Sequence, residues 1–256
     1  MSIERVNFSN PEQLDVALVT EVVALLNADI ERSGHAILVV SGGRTPMGFF
    51  QLLSRQTLNW QQITVTLADE RWVDAEHKDS NEKLVRENLL VNNASVADFI
   101  GLKNSAATAA MGEALASQTL AELGQFTVVI LGMGDDGHTA SLFPGAAELA
   151  RGLDLTSGLA CIAVTPVHAA HQRISLTLSR LLNSRRIILH ISGEGKLKVL
   201  EAALAGDDEL ALPVRAILRQ QQTPLAIYAS PLPAGWLDGQ TTVLCNKITD
   251  IEQTCT

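Results

Sequence analysis

The chain has 256 residues, 46% hydrophobic and 18% charged, with a formal net charge of −9. This is an ordinary globular composition, and the acidic balance, with no basic block to offset it, argues against a nucleic-acid or anionic-membrane surface. The start MSIERVNFSN has neither the basic head nor the apolar core of a secretory signal, no apolar run approaches the roughly 18 residues of a membrane span, and Cys161, Cys245 and Cys255 lack zinc spacing. The expectation is a cytoplasmic protein with reduced thiols in its core or tail. An anionic small-molecule partner stays open if Arg and Lys cluster locally.

Ser9-Asn-Pro11 reads as a helix start, Leu14, Leu18, Val22, Leu25 and Ile30 follow at helical spacing, and Gly34 supplies the stop. Ala36 to Val40 is a short β-branched apolar run, read as a buried strand. It ends in Ser41-Gly-Gly-Arg-Thr-Pro46, where a helix to about Gln56 begins with Thr45 as its cap. Ile63 to Ala68 reads as a strand ending in Asp69-Glu-Arg-Trp72, and Ser80 caps a helix through Leu90. An Ala-rich helix spans roughly Ala106 to Leu123, with Gly124 as its stop. Phe126 to Leu131, Leu159 to Val164, Ile187 to Ile191 and Leu225 to Ala229 read as further strands; Arg173 to Thr177 is open between strand and turn. A helix covers about Lys196 to Ala205, and the tail after Gly239 carries little signal.

This alternation predicts an α/β fold, a mainly parallel Rossmann-like sheet flanked by helices, as a single domain over residues 1–256. Three strands end in Gly-bearing loops: Val40 into S-G-G, Leu131 into G-M-G-D-D-G-H, and Ile191 into S-G-E-G-K. In a parallel sheet those ends share one edge, so the loops converge on one crevice.

Gly132 to Gly137 spells G-x-G-x-x-G, but Asp135 and Asp136 would stand where a pyrophosphate needs amides, and Pro144 disfavours a long helix. His138 has three roles open to it: general base with Asp136 or Asp69 orienting the ring, metal ligand with Asp135 and Asp136, or a loop residue bonding backbone. A second His or Cys at ligand spacing is missing, and His168 and His171 are expected on the surface. Ser141 lacks the G-x-S-x-G elbow and is read as a capping or packing serine. Ser41, Gly42, Gly43, Arg44 and Thr45 offer close backbone approach, hydroxyls and a cation to one phosphate; with Arg71, Arg173 and Lys196 they would form the required positive cluster.

S-G-G-R-T-P at 41–46, D-E-R-W-V at 69–73, the fourteen-residue histidine loop at 132–145, R-I-S-L-T at 173–177 and G-E-G-K at 193–196 together resemble the 6-phosphogluconolactonase family. One departure is Asp74, where many members carry Pro. The resemblance implies hydrolysis of 6-phospho-D-glucono-1,5-lactone, a phosphosugar-lactone partner, no metal and no cofactor, and a fold akin to that of amino-sugar-phosphate deaminases. It also implies His138 as catalytic base, with Asp69 near the reacting end. Arg71, Arg173, Lys196 and the Ser41–Thr45 turn then serve phosphate and substrate. Two alternatives are carried. An amino-sugar-phosphate isomerase or deaminase would need a Glu where Ser141-Leu-Phe-Pro144 stands. A non-catalytic sugar-phosphate sensor would be expected to carry a DNA-binding segment before Pro11 or after Gly239.

Overall fold

A computed structural model describes residues 2–231 and 241–245. Its strands are β1 (Ser2–Asn7), β2 (Ala36–Val40), β3 (Ile63–Leu67), β4 (Asp69–Arg71), β5 (Asp98–Ile100), β6 (Val128–Leu131), β7 (Cys161–Val164), β8 (Arg173–Leu176), β9 (Ile187–Ser192), β10 (Leu225–Ser230) and β11 (Thr241–Cys245). Its α-helices are α1 (Pro11–Ser33), α2 (Met47–Leu53), α3 (Asn81–Asn88), α4 (Ala109–Glu122), α5 (Leu149–Leu153), α6 (Leu178–Leu182), α7 (Glu194–Ala205) and α8 (Val214–Arg219).

The main sheet runs β11-β1-β10-β9-β6-β2-β3-β5. Its pairings are parallel except the edge pair of β11 with β1. Strands buried on both faces read as unbroken apolar runs, and β2, β3 and β6 are buried at every residue. The chain leaves β2 toward β3 and β5 on one side, then returns through α4 to β6 on the other. The carboxyl ends of β2 and β6 therefore flank a topological switch point, where an open α/β sheet leaves a crevice.

Helix α1 follows its sequence signals closely. The Asn10 side chain accepts the Gln13 amide, Pro11 opens the first turn, and Gly34 closes the helix at φ 77° with its N–H on the Ile30 carbonyl. Leu14, Leu18, Val22 and Leu26 face the core. Several boundaries differ from expectation: α4 starts at Ala109 rather than about Ala106, α2 ends at Leu53 and α3 at Asn88, and two starts bear on the site. Helix α2 starts at Met47 with Pro46 at its cap position and no side-chain cap bond, so Thr45 is not the cap. Helix α7 starts at Glu194, two residues before Lys196. Among the described residues no helix is long and apolar enough to cross a membrane. Cys161 is a free, buried thiol whose burial pushes its pKa up to about 12, which fits the expected inert core residue. Cys255 and most of the tail lie outside the described residues.

The segments at 159–164 and 173–177 do not join the main sheet. Strands β4, β8 and β7 form a separate antiparallel sheet. One residue makes the corner between the sheets. The Ala68 N–H donates to the Val40 carbonyl in the main ladder, and its carbonyl accepts the Leu176 N–H of the small one.

Strand alternation in β4 puts Asp69 and Arg71 on one face and Glu70 on the other. The Glu70 carboxylate accepts N–H groups from Asn81 and Glu82 at 2.7 Å, the Arg71 N–H at 2.7 Å and the Ser80 hydroxyl at 3.0 Å. Ser80 is the cap of α3, so Glu70 takes amides that the first helical turn leaves unpaired. Burial pushes the Glu70 carboxyl above its ordinary range despite the lowering effect of these donors. Replacing Glu70 by Ala strands several buried donors at once. Urea unfolding is expected to show a loss of roughly 2–4 kcal/mol, with Glu70→Gln less affected.

Candidate active site

At the switch point lies a cavity of about 310 Å³. The turn after β2 forms one wall. The Ser41 hydroxyl donates to the Ile130 carbonyl at 3.1 Å and accepts the Gly132 N–H at 3.4 Å, tying the ends of β2 and β6 together. Gly42 is required because a Cβ there would lie 1.8 Å from Oδ1 of Asn81. Thr45, freed from capping, lines the cavity beside Arg44.

The loop after β6 supplies the imidazole. Gly134 N–H donates to the His138 carbonyl, Gly137 N–H to the Gly134 carbonyl, and the Thr139 hydroxyl to the Gly132 carbonyl, which closes the loop on itself. His138 Nδ1 is 2.5 Å from Asp136 Oδ1. A carboxylate only accepts, so the ring proton sits on Nδ1 and Nε2 is the free nitrogen. Burial works to raise the Asp136 carboxyl, but the hydrogen bond and charge of His138 outweigh it and hold the group below the usual range. The ring lies against Phe143 at 4.2 Å between centroids. It also covers Gly134, where a Cβ would come within 2.2 Å of the imidazole.

Asp69 is buried and clamped. Its Oδ2 accepts the Ser141 hydroxyl at 2.5 Å, and the Asn81 side-chain amide donates to its backbone carbonyl at 2.8 Å. Ser141 caps no helix among the described residues; its hydroxyl donates to the Asp69 carboxylate. Arg71 faces Arg173 directly across the β4–β8 pair. Arg71 Nη1 donates to the Asp79 carbonyl at 2.5 Å, while its buried Nε has no partner. Burial, then the neighbouring Arg71 charge, lowers the Arg173 pKa. Such a pair of cations with spare donors suits an anion.

The cavity wall therefore brings together Ser41, Gly42, Gly43, Arg44, Thr45, Asp69, Arg71, His138 and Lys196. Two expected residues are not on that wall. Arg173 stands opposite Arg71 in the neighbouring strand, and Asp136 holds His138 Nδ1 near Phe143 and Pro144. The G-x-G-x-x-G text places Asp135 on the wall, an anion where a pyrophosphate would need donors.

Sequence reasoning missed Asn81 and His190, which also line the cavity. Asn81 reads as a first-turn helix residue, and its packing on Gly42 and Asp69 exists only in the fold. His190 had a signal, a lone polar residue inside the apolar run of β9. It is 3% exposed, with Nε2 3.5 Å from Asp15 Oδ1 and no partner on Nδ1. Burial, then the Lys196 charge, lowers the His190 pKa to about 4. Burial, then Glu12, raises Asp15 to about 6.

Comparison with known proteins gives the chain a family and relatives. The family model described as glucosamine-6-phosphate isomerases/6-phosphogluconolactonase matches residues 9–226. A 6-phosphogluconolactonase of Rhizobium meliloti (strain 1021) is 46% identical over 225 residues, which is 88% of this chain and 97% of the relative. The crystal structure of a 6-phosphogluconolactonase from Shewanella baltica OS155 is 45% identical with a TM-score of 0.86, over 90% of this chain and 98% of that one. A monomeric glucosamine-6-phosphate deaminase superposes with a TM-score of 0.71 at 20% identity, over 87% of this chain and 96% of its own. That last likeness is one of fold, and it is the kinship the sequence implied.

The two buried titrating groups act on stability in opposite senses. Between its folded pKa of about 4 and the ordinary 6.5, His190 is neutral in the fold and protonated in the unfolded chain, so it costs stability as pH falls through that window. Asp15 stays protonated in the fold while the unfolded carboxyl ionises above 3.8, so it costs stability as pH rises toward about 6. Replacing His190 by Gln removes the acid-side loss alone. Relative to the parent, the variant is expected to gain stability between pH 6.5 and 4.5, read from urea midpoints at both values.

Proposed function

The chain belongs to the glucosamine-6-phosphate isomerase/6-phosphogluconolactonase family, and within it we propose that the chain hydrolyses 6-phospho-D-glucono-1,5-lactone to 6-phospho-D-gluconate, with His138 as the base that activates water. One observation carries the assignment of His138. Its Nδ1 is committed to Asp136 at 2.5 Å, so its Nε2 is left to serve a cavity that it shares with Arg44, Arg71 and Lys196.

In the proposed sequence of events, Nε2 takes a proton from water as the oxygen attacks the lactone carbonyl, and Asp136 stabilises the imidazolium that forms. The carbonyl electrons move onto oxygen, giving a tetrahedral oxyanion. The amides of the Gly42–Thr45 turn, with Gly43 at φ 93°, are the proposed donors to that charge. Collapse expels the ring oxygen, which takes the proton back from His138. Lys196 and Arg71 are assigned the phosphate, with Arg173 beside Arg71 on the next strand. The phosphate then acts as a handle whose binding energy fixes the carbonyl against the water. Asp69, clamped by Ser141 and Asn81, is assigned as acceptor for a sugar hydroxyl. A lactone is an activated ester, and this route has no cofactor step.

The whole chain is read as one domain because β1 and β11, from its opposite ends, pair in the same sheet. The proposed setting is the cytoplasm, in keeping with the free Cys161 thiol.

The assay is lactone hydrolysis above spontaneous opening at several pH values, run beside ammonia release from glucosamine 6-phosphate. Lactone hydrolysis alone is expected. His138→Ala should lose about 10²–10⁴ in kcat with KM little changed, whereas Lys196→Ala should act mainly on KM. A near-parental kcat in His138→Ala would sink the base assignment, and ammonia release without lactone hydrolysis would overturn the reaction.

A further inference from the structure

The loop from 74 to 80 leaves β4 and comes to rest against the residues that precede β8. Two imidazoles and a carboxylate meet there from positions far apart in sequence. His171 Nε2 is 3.1 Å from Asp79 Oδ2, and His77 Nδ1 is 3.8 Å from the same oxygen. One possible ligand atom from each of the three lies within 4.8 Å of the others, and this is the one such group of His, Cys and carboxylate side chains among the described residues. The two rings meet edge to face, 5.3 Å between centroids at 78°. His171 is exposed, as expected of a surface residue, and its partners come from the loop after β4. Its backbone holds φ 65°, a conformation that residues with a Cβ seldom adopt.

We propose that His77, Asp79 and His171 form a binding site for a divalent transition metal of the zinc class, with water in the fourth position. Three nitrogen and oxygen donors about 2.0–2.1 Å from a tetrahedral ion stand roughly 3.4 Å apart. The observed separations straddle that value, so small side-chain rotations complete the site. The donors are half-exposed, which gives an ion a way in. Imidazole selects zinc, cobalt and nickel over magnesium and calcium.

Two features moderate the affinity. His77 Nδ1 accepts the Asp79 N–H at 3.1 Å, a bond that a metal on Nδ1 displaces. Lys78, Arg71 and Arg173 place positive charge close by. Binding is therefore expected in the micromolar range, where a charged surface and a partly formed ligand set place such a site. The same contacts connect the site to the cavity. Arg71 donates to the Asp79 carbonyl, and Arg173 Nη1 to the His171 carbonyl at 3.4 Å. A bound ion would thus pin the two carbonyls from which those arginines hang.

The experiment uses the full chain after chelator treatment, titrated with Co²⁺ and followed by visible absorption, then with Zn²⁺ in competition and by calorimetry. The expected result is one ion per chain, a cobalt spectrum of four-coordinate strength, displacement by Zn²⁺, and no response to Mg²⁺. His77→Gln and His171→Gln should each weaken binding at least tenfold, with Asp79→Asn as a third variant and urea unfolding to show that each is folded. No uptake by the parent, unchanged affinity in the folded variants, or uptake that follows His138 would overturn the proposal. The readout is metal uptake, so its failure leaves the lactone-hydrolysis reading untouched.

Discussion

The carboxylate of Glu70 is the joint on which this site depends. It binds the first amides of α3 and so fixes a helix start against a three-residue strand. Because residues alternate along a strand, the two neighbours of Glu70 are forced to the opposite face, toward the cavity. Asn81 is positioned by the same joint, and it in turn steadies Asp69 and fills the space beside Gly42. One buried carboxylate thereby sets the relation between Asp69, Arg71 and the turn after β2. Remote buried polar groups of this kind bear on function through geometry, without touching a ligand.

The main sheet contributes a different constraint. Its switch point opens a crevice between β2 and β6, but the crevice alone has one wall of glycine-rich turns. The small antiparallel sheet supplies the opposite wall, carrying Asp69 and Arg71, with Arg173 beside Arg71 on the next strand. Ala68 belongs to both ladders, so no linker separates the walls. The positive lining is assembled from segments spread over most of the chain, which is how a protein of net charge −9 concentrates cations at one cavity.

Much of this was legible in the sequence, and the reasons are specific. The apolar runs of β2, β3, β6, β9 and β10 announce buried parallel strands, and the Asn10, Pro11 and Gly34 signals bound α1 within a residue. The glycine-bearing loops mark the crevice because only strand ends in such a fold gather them. Strand β5 was not legible: it has three residues, none buried, and no run to detect. The small sheet was not foreseen: β7 is as apolar as a main-sheet strand, the alternating R-I-S-L of β8 left strand and turn both open, and nothing local records which ladder they join. Likewise Asp69-Glu-Arg71 looks like one charged cluster, yet its middle residue serves the scaffold and its outer two the cavity.

The aspartates that line the cavity with His138 carry a further consequence. On the proposed reaction the substrate enters with charge on its phosphate alone, and the product leaves with a new carboxylate as well. On that reading the carboxylate forms beside His138, in a cavity whose wall also carries Asp69 and Asp135. Like charges at such range repel, and they do so more strongly where the walls exclude water. The cations that hold the phosphate would make the product bind tightly, while the acidic residues push against it. On the proposed reaction, such a site is biased against its own product, which favours turnover over retention.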